Sequence, residues 1–223
     1  YITSMFAVSD FLKTDLKKAF PNRKIGIIPN HVDIDLFSIA DEQANSDKIK
    51  FLHISTLDKN TKNPKGIFDA CKIVKERKGK AFELTVICDE PMQKWKKYCA
   101  NEGLEDLVKF EGAKEWEELP KYYQDCDAFI LNSVYETFSI VLAEAWATGT
   151  PTITTPVGIG HELPKYLGLQ TKINDAKSLA NRMIDFIDNN NEYDPNKIRE
   201  SAQQFSSEKV LSDLKSIIDS HVR

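Results

Sequence analysis

From Lys50 to Thr154 the chain alternates short apolar runs with longer stretches whose apolar residues recur at helical spacing, and no other feature constrains the fold as tightly. Strands are expected at Lys50–Ser55, Phe82–Cys88, Val108–Glu111, Ala128–Leu131 and Thr150–Thr154. Helices are expected between them, at Gly66–Arg77, Met92–Glu102, Glu115–Gln124 and Ser139–Thr148. The run Ala128-Phe129-Ile130-Leu131 has no polar alternation, so both faces of such a strand must be covered. The expected architecture is therefore α/β, a doubly wound parallel sheet with helices on both faces. Ahead of the repeat, Ser9 opens a helix through Phe20, Lys24–Ile28 is a strand, and Ile39 to Lys48 reads as a loop. The last third is helical, at Ala176–Asp188, Asn196–Gln204 and Ser207–Val222, the last with an apolar stripe at Val210, Leu211, Leu214 and Ile218.

Composition narrows the function. Acidic residues outnumber basic ones, 34 against 30, for a net charge of -4, so nothing draws the chain to nucleic acid. With 223 residues and 41% hydrophobic content it can bury one substantial core, and a single domain over residues 1–223 is expected. Cys71, Cys88, Cys99 and Cys126 show no CxxC spacing and read as free thiols. No stretch approaches a transmembrane length and no charged-then-apolar leader precedes the first strand, so a cytoplasmic location is expected. The basic cluster Lys94-Trp95-Lys96-Lys97 reads as a solvated helix face that could also touch the inner face of an anionic membrane. A start at Tyr1 rather than Met suggests a piece of a longer protein.

The densest chemistry lies between Asn132 and Pro151, where Glu136 and Glu144 stand eight residues apart around an expected helix start. Ligands of an open parallel sheet bind beyond the carboxyl ends of its strands, which puts Ser133 to Ser139 where a site belongs. The first amides of the following helix, about Phe138, Ser139 and Ile140, lack helical acceptors and carry partial positive charge suited to phosphate or sugar oxygens. A carboxylate at Glu144 can accept two hydrogen bonds from a vicinal diol such as ribose.

Glu, seven residues, Glu, with an aromatic two after the first Glu and an Ala, Gly, Pro tail, resembles the donor-site motif of retaining GT-B glycosyltransferases of family four. The resemblance covers nearly the whole chain and implies the Rossmann-like C-terminal, donor-binding half of that two-domain fold. It implies that Glu136 contacts the transferred sugar and Glu144 the ribose. The family's usual Gly after the aromatic is here Ser139, which at a helix start can cap free amides. The family also carries an Arg after the first strand and a Lys in the loop beyond it, both neutralising the donor diphosphate. The Lys aligns with Lys62, whereas the Arg position holds Thr56, and Lys59 is the candidate to compensate. Gly112 and Ala113 resemble the turn whose backbone receives the nucleotide base, and the Gly-bearing loop Thr154 to Glu162, which follows an expected strand, is a candidate to border the donor sugar. His161 in that loop is not expected to act as a base.

The resemblance implies a nucleoside-diphosphate sugar as substrate, and neither a cofactor nor a metal is expected. It also implies a missing N-terminal acceptor domain toward which the final helix, about 207–222, packs. Two functional readings stand side by side: the donor-binding domain of a glycosyltransferase in polysaccharide or glycoconjugate assembly, inactive alone, or a non-catalytic sugar-nucleotide binding module.

Overall fold

The computed structural model describes residues 5–41, 46–89, 91–189 and 192–221. Six parallel strands form the main sheet: β3 (Ile49–Ile54), β4 (Phe82–Ile87), β5 (Val108–Gly112), β6 (Ala128–Leu131), β7 (Thr152–Thr154) and β8 (Gly168–Gln170). Their order across the sheet is β5-β4-β3-β6-β7-β8. The chain runs outward from β3 through β4 to β5, then returns to lay β6 against the other side of β3. That reversal makes the gap between the ends of β3 and β6 the topological switch point, where open α/β sheets bind ligands.

The helices between these strands are α2 (Pro64–Lys78), α3 (Gln93–Asn101), α4 (Leu119–Gln124) and α5 (Ile140–Ala147), and β8 is followed by α6 (Ala176–Asn189), α7 (Pro195–Ala202) and α8 (Ser207–His221). Val222, expected as the last residue of α8, lies outside the described residues. Ahead of the main sheet, β1 (Met5–Ala7), α1 (Asp10–Ala19) and β2 (Ile25–Ile27) build a separate two-stranded parallel sheet. Neither β1 nor β8 was expected from the sequence; each has only three residues, too few for a periodic signal. The helix expected over Glu115–Gln124 is divided into a 3-10 turn at Trp116–Glu118 and α4, because Pro120 lacks an N–H and restarts the helix at its first turn.

The two faces of the sheet carry separate cores, as the unbroken apolar runs demand. Ala128 and Ile130 of β6 join Phe51, Phe68, Phe82 and Phe186 on one side. Phe129 and Leu131 join Phe37, Tyr123, Phe138, Trp146 and Phe205 on the other. Arg199 of α7 ties this second face to the segment that enters the sheet: its guanidinium donates to the carbonyls of Phe37 at 2.7 Å and Ile34 at 2.6 Å, and to that of Ala147 at the end of α5. All four cysteines are buried and none is in a disulfide. Among the described residues no helix is long and apolar enough to cross a membrane.

Candidate functional site

A cavity of about 450 Å³ opens at the carboxyl ends of β3, β4, β5 and β6. Its wall includes Thr56 and Lys62 from the loop after β3, Asp89 after β4, Ala113 and Lys114 after β5, and Glu136 to Val141 from the loop after β6 and the start of α5. Sequence-distant groups converge here. Lys62 donates to Oε1 of Glu136, and Ser133 Oγ donates to the same oxygen at 2.7 Å, so the carboxylate is held by a cation and a hydroxyl. The side chains of Lys62 and Glu136 are 23% and 13% exposed, which leaves the pair open to a ligand in the cavity.

The loop bearing Lys62 has a defined path. Leu57 and Asn63 both have positive φ, 56° and 45°, and turn the chain at either end of it. Between them Asp58 accepts from Thr61 N at 2.9 Å, and Lys62 N donates to Asp58 O at 2.8 Å. Asn63 then caps α2 by accepting from Gly66 N at 3.3 Å, with Pro64 at the first helical position. Across the switch point, Val134 N donates to Thr61 O at 2.7 Å, joining the Lys62 loop to the Glu136 loop.

Phe138, Ser139 and Ile140 lie at the start of α5 and on the cavity wall. Ser139 has φ 76°, and its hydroxyl caps no amide; it is buried without a hydrogen-bond partner among the described residues. The capping role expected for it is therefore not made. The left-handed backbone explains why: it turns the hydroxyl toward Gly158 instead of back over the first turn.

Three residues singled out in the sequence are not on this wall. Lys59 lines a neighbouring cleft with Pro91, Lys94 and Trp95, because the Asp58–Thr61 turn faces it away from Lys62; Thr56 touches both spaces. Gly112 instead shapes the wall, ending β5 with φ 78° so that Ala113 and Lys114 face the cavity. Glu144 is turned inward. The residue is 4% exposed, and its carboxylate accepts from the Tyr123 hydroxyl at 2.8 Å, one helical turn behind the cavity residue Val141. Burial pushes the Glu144 carboxyl up from the ordinary glutamate range, with hydrogen bonding from Tyr123 and Trp116 acting the other way.

That shift has a testable sign. A carboxyl whose folded pKa lies above its unfolded one binds protons more tightly in the native state, so stability falls as pH rises through the interval between the two values. Glu144→Gln is therefore expected to raise the melting temperature at pH 8 relative to the unsubstituted chain, with the gain shrinking toward pH 4. A pH-independent difference would rule this account out.

Sequence reasoning missed Lys114 and Asp89 as cavity residues. Lys114 sits over the Tyr122 ring at 5.3 Å and pairs with Glu111 at 3.1 Å. Both residues directly follow strand ends, a signal that could have found them. His161 lies elsewhere, its ring tilted against that of Phe11 at 5.3 Å beside a separate cavity of about 560 Å³ between α1, the Gly158–Gly160 turn and the end of α7. Among the described residues no group of three His, Cys, Asp or Glu side chains could hold a metal ion.

Residues 36–205 match the family described as Glycosyl transferases group 1. The amylovoran biosynthesis glycosyltransferase AmsK of Erwinia amylovora is 28% identical over 173 residues, covering 72% of this chain and 41% of that protein. The putative colanic acid biosynthesis glycosyltransferase WcaL of Escherichia coli is 27% identical over 198 residues, covering 82% and 47%. The chain thus spans less than half the length of these two relatives. Among solved structures, the sucrose-phosphate synthase of Thermosynechococcus elongatus superposes with a TM-score of 0.86 at 20% identity, over 100% of this chain and 59% of its own. Anabaena HepE in complex with UDP and glucose superposes with a TM-score of 0.83 at 20% identity, over 99% and 64%.

Proposed function

The chain belongs to the glycosyl transferases group 1, and we propose that it is the donor-binding part of a retaining family-four enzyme that moves a sugar from a nucleoside diphosphate to an acceptor hydroxyl. The observation that carries this reading is the convergence of Lys62, Glu136 and the amino end of α5 on one cavity at the switch point of the sheet. A diphosphate seated between Lys62 and the Phe138–Ile140 amides meets charge and dipole of the right sign as the glycosidic bond lengthens. Glu136, released from Lys62 by the phosphate, is then free to orient sugar hydroxyls. Lys114 and Asp89 lie toward the β5 side, where the nucleoside extends. The reading calls for no metal, since these groups meet the phosphate charge. UDP bound to the similarly folded HepE supports a nucleotide ligand for this cavity.

Glu144 enters the reading as a buried acceptor behind Val141, reached by a ribose once Tyr123 or Trp116 yields its hydrogen bond. On this reading an acceptor-binding half lies in the length of the relatives that this chain does not span, and the exposed Leu211 and Ile218 on α8, at 63% and 52%, are the face proposed to pack against it. Work on polysaccharide or glycoconjugate assembly, in the cytoplasm and with peripheral membrane contact, follows from the same reading.

A panel of UDP-, GDP- and ADP-sugars tests it by thermal shift, because a ligand that binds only the native state raises the melting temperature. One sugar nucleotide is expected to stand out; no shift from any member at millimolar concentration would sink the reading. The alternative, a non-catalytic binding module, is favoured by one observation: Thr56 stands where a second cation is expected, and Lys62 is already paired. Transfer, or slow donor hydrolysis, by the longer protein separates the two.

A further inference from the structure

His53, the last residue but one of β3, is wholly buried and belongs to no part of the site described so far. Its ring makes two hydrogen bonds, Nδ1 to the Ile130 carbonyl at 2.8 Å and Nε2 to Ser55 Oγ at 2.8 Å. The carbonyl can only accept, so Nδ1 carries the ring proton. Burial, with the nearby Lys62 charge adding to it, lowers the imidazole pKa to about 4 against the opposing Ile130 bond, so the ring is neutral and Nε2 is a bare acceptor. The Ser55 hydroxyl must then donate to Nε2, which commits its proton and leaves its lone pairs facing elsewhere. One of them accepts from Leu57 N at 3.1 Å.

Leu57 is the residue this chain of bonds ends on, and its backbone is unusual. It is a buried, non-glycine residue with φ 56°, a conformation that persists only where the surroundings over-determine it. From that turn the backbone runs through Asp58 and Thr61 to Lys62, whose ammonium meets Glu136. Ser55 itself lines the cavity, yet with its proton directed at His53 it has none to offer a phosphate.

We propose that His53 is a positioning residue for the donor phosphates: by fixing the direction of the Ser55 hydroxyl it holds Leu57 in its left-handed turn, and through that turn it aims Lys62 into the cavity. This rests on the donor-site reading given above. A packing role alone would not need a polar ring at a fully buried strand position, where an aliphatic side chain fills the same space without desolvating a polar group.

Three single variants and one double variant test it against a purely structural role. His53→Asn keeps a donor near the Nδ1 position but removes the acceptor for Ser55, whereas His53→Gln keeps an acceptor near the Nε2 position. Both disturb the core. UDP and GDP affinities measured by calorimetry are expected to fall about tenfold in His53→Asn and in Ser55→Ala, to be largely kept in His53→Gln, and to fall no further in the Asn/Ala double variant than in either single one. Uridine and guanosine, which have no phosphates, are expected to bind all the variants alike. Without ligand, nitrogen NMR is expected to show the His53 proton on Nδ1 and no titration between pH 5.5 and 8. Parent-like UDP and GDP affinity in His53→Asn, an equal loss in His53→Gln, or a proton on Nε2 each overturns the proposal. A parent chain that binds neither diphosphate overturns the donor-site reading instead, and the NMR result then still reports whether the relay is built as described.

Discussion

Lys62→Ala is expected to weaken UDP or GDP binding by about 100-fold, while Glu136→Gln leaves it unchanged or tightens it. The opposite signs follow from the ion pair between them. Glu136 pairs with the cation that a diphosphate would use, so binding exchanges one anionic partner of Lys62 for another. A charge-assisted hydrogen bond contributes roughly 1.5–3 kcal/mol, about 10- to 150-fold in affinity. Removing Lys62 forfeits that contact and also leaves Glu136 unpaired beside the incoming phosphates, placing the loss toward the upper end. Neutralising Glu136 frees Lys62 instead, and Ser133 retains an oxygen to bond. Transfer by the longer protein is expected to move the other way for Glu136→Gln, slowing by about 10²–10³-fold, the usual cost of losing one preorganised polar group at a reacting centre. Calorimetry on the four members of the Lys62/Glu136 cycle, with initial rates from the longer protein, checks both halves. Equal weakening by the two single variants would mean that the pair does not compete with the donor, and the site would have to be rebuilt around other residues.

How much of this was legible in the sequence depends on whether the deciding contact lies within one element or between two. Strands such as Ala128–Leu131 were readable because their apolar runs are continuous and end at polar or turn residues. The Glu136 loop was readable because its position after β6 follows from the order of elements alone. What the sequence could not resolve is which way a side chain faces once two elements meet. Val141 and Glu144 lie three residues apart on α5, on one side of the helix by spacing, yet one lines the cavity and the other is drawn inward by Tyr123 from α4. Lys59 and Lys62 are equally cationic and share a loop; the turns at Leu57 and Asn63 and the Asp58–Thr61 bonds send only Lys62 to Glu136. Lys114 and Asp89 were legible only as residues that follow strand ends; that their side chains line the same cavity as Lys62 and Glu136 depends on how β4 and β5 are laid beside β3.

Gly158→Ala is expected to damage fold and site together. Gly158 opens the 3-10 turn after β7 with φ 54°, and a Cβ built on it would lie 2.4 Å from the Phe138 carbonyl oxygen and 2.8 Å from Ser139 Oγ. The first of these is a backbone atom, with no side-chain rotation available to relieve the contact. The same carbonyl accepts from Ile159 N at 2.8 Å, so any separation that admits the methyl group also stretches that bond. Overpacking against backbone, added to a left-handed conformation that alanine resists, amounts to roughly 2–4 kcal/mol. For a chain of this size that lowers the melting temperature by about 5–15 °C. The displaced backbone is Phe138 and Ser139, the start of α5, so diphosphate affinity is expected to fall with stability although Gly158 itself does not line that cavity. Gly79 supplies the control: its φ is 62°, but a Cβ there meets nothing within 4 Å, so Gly79→Ala carries the backbone cost without the collision and lies far from the site at the end of α2. A scanning-calorimetry difference between the two variants of less than about 1 kcal/mol, or unchanged UDP and GDP affinity in Gly158→Ala, would show that the turn after β7 and the start of α5 move independently.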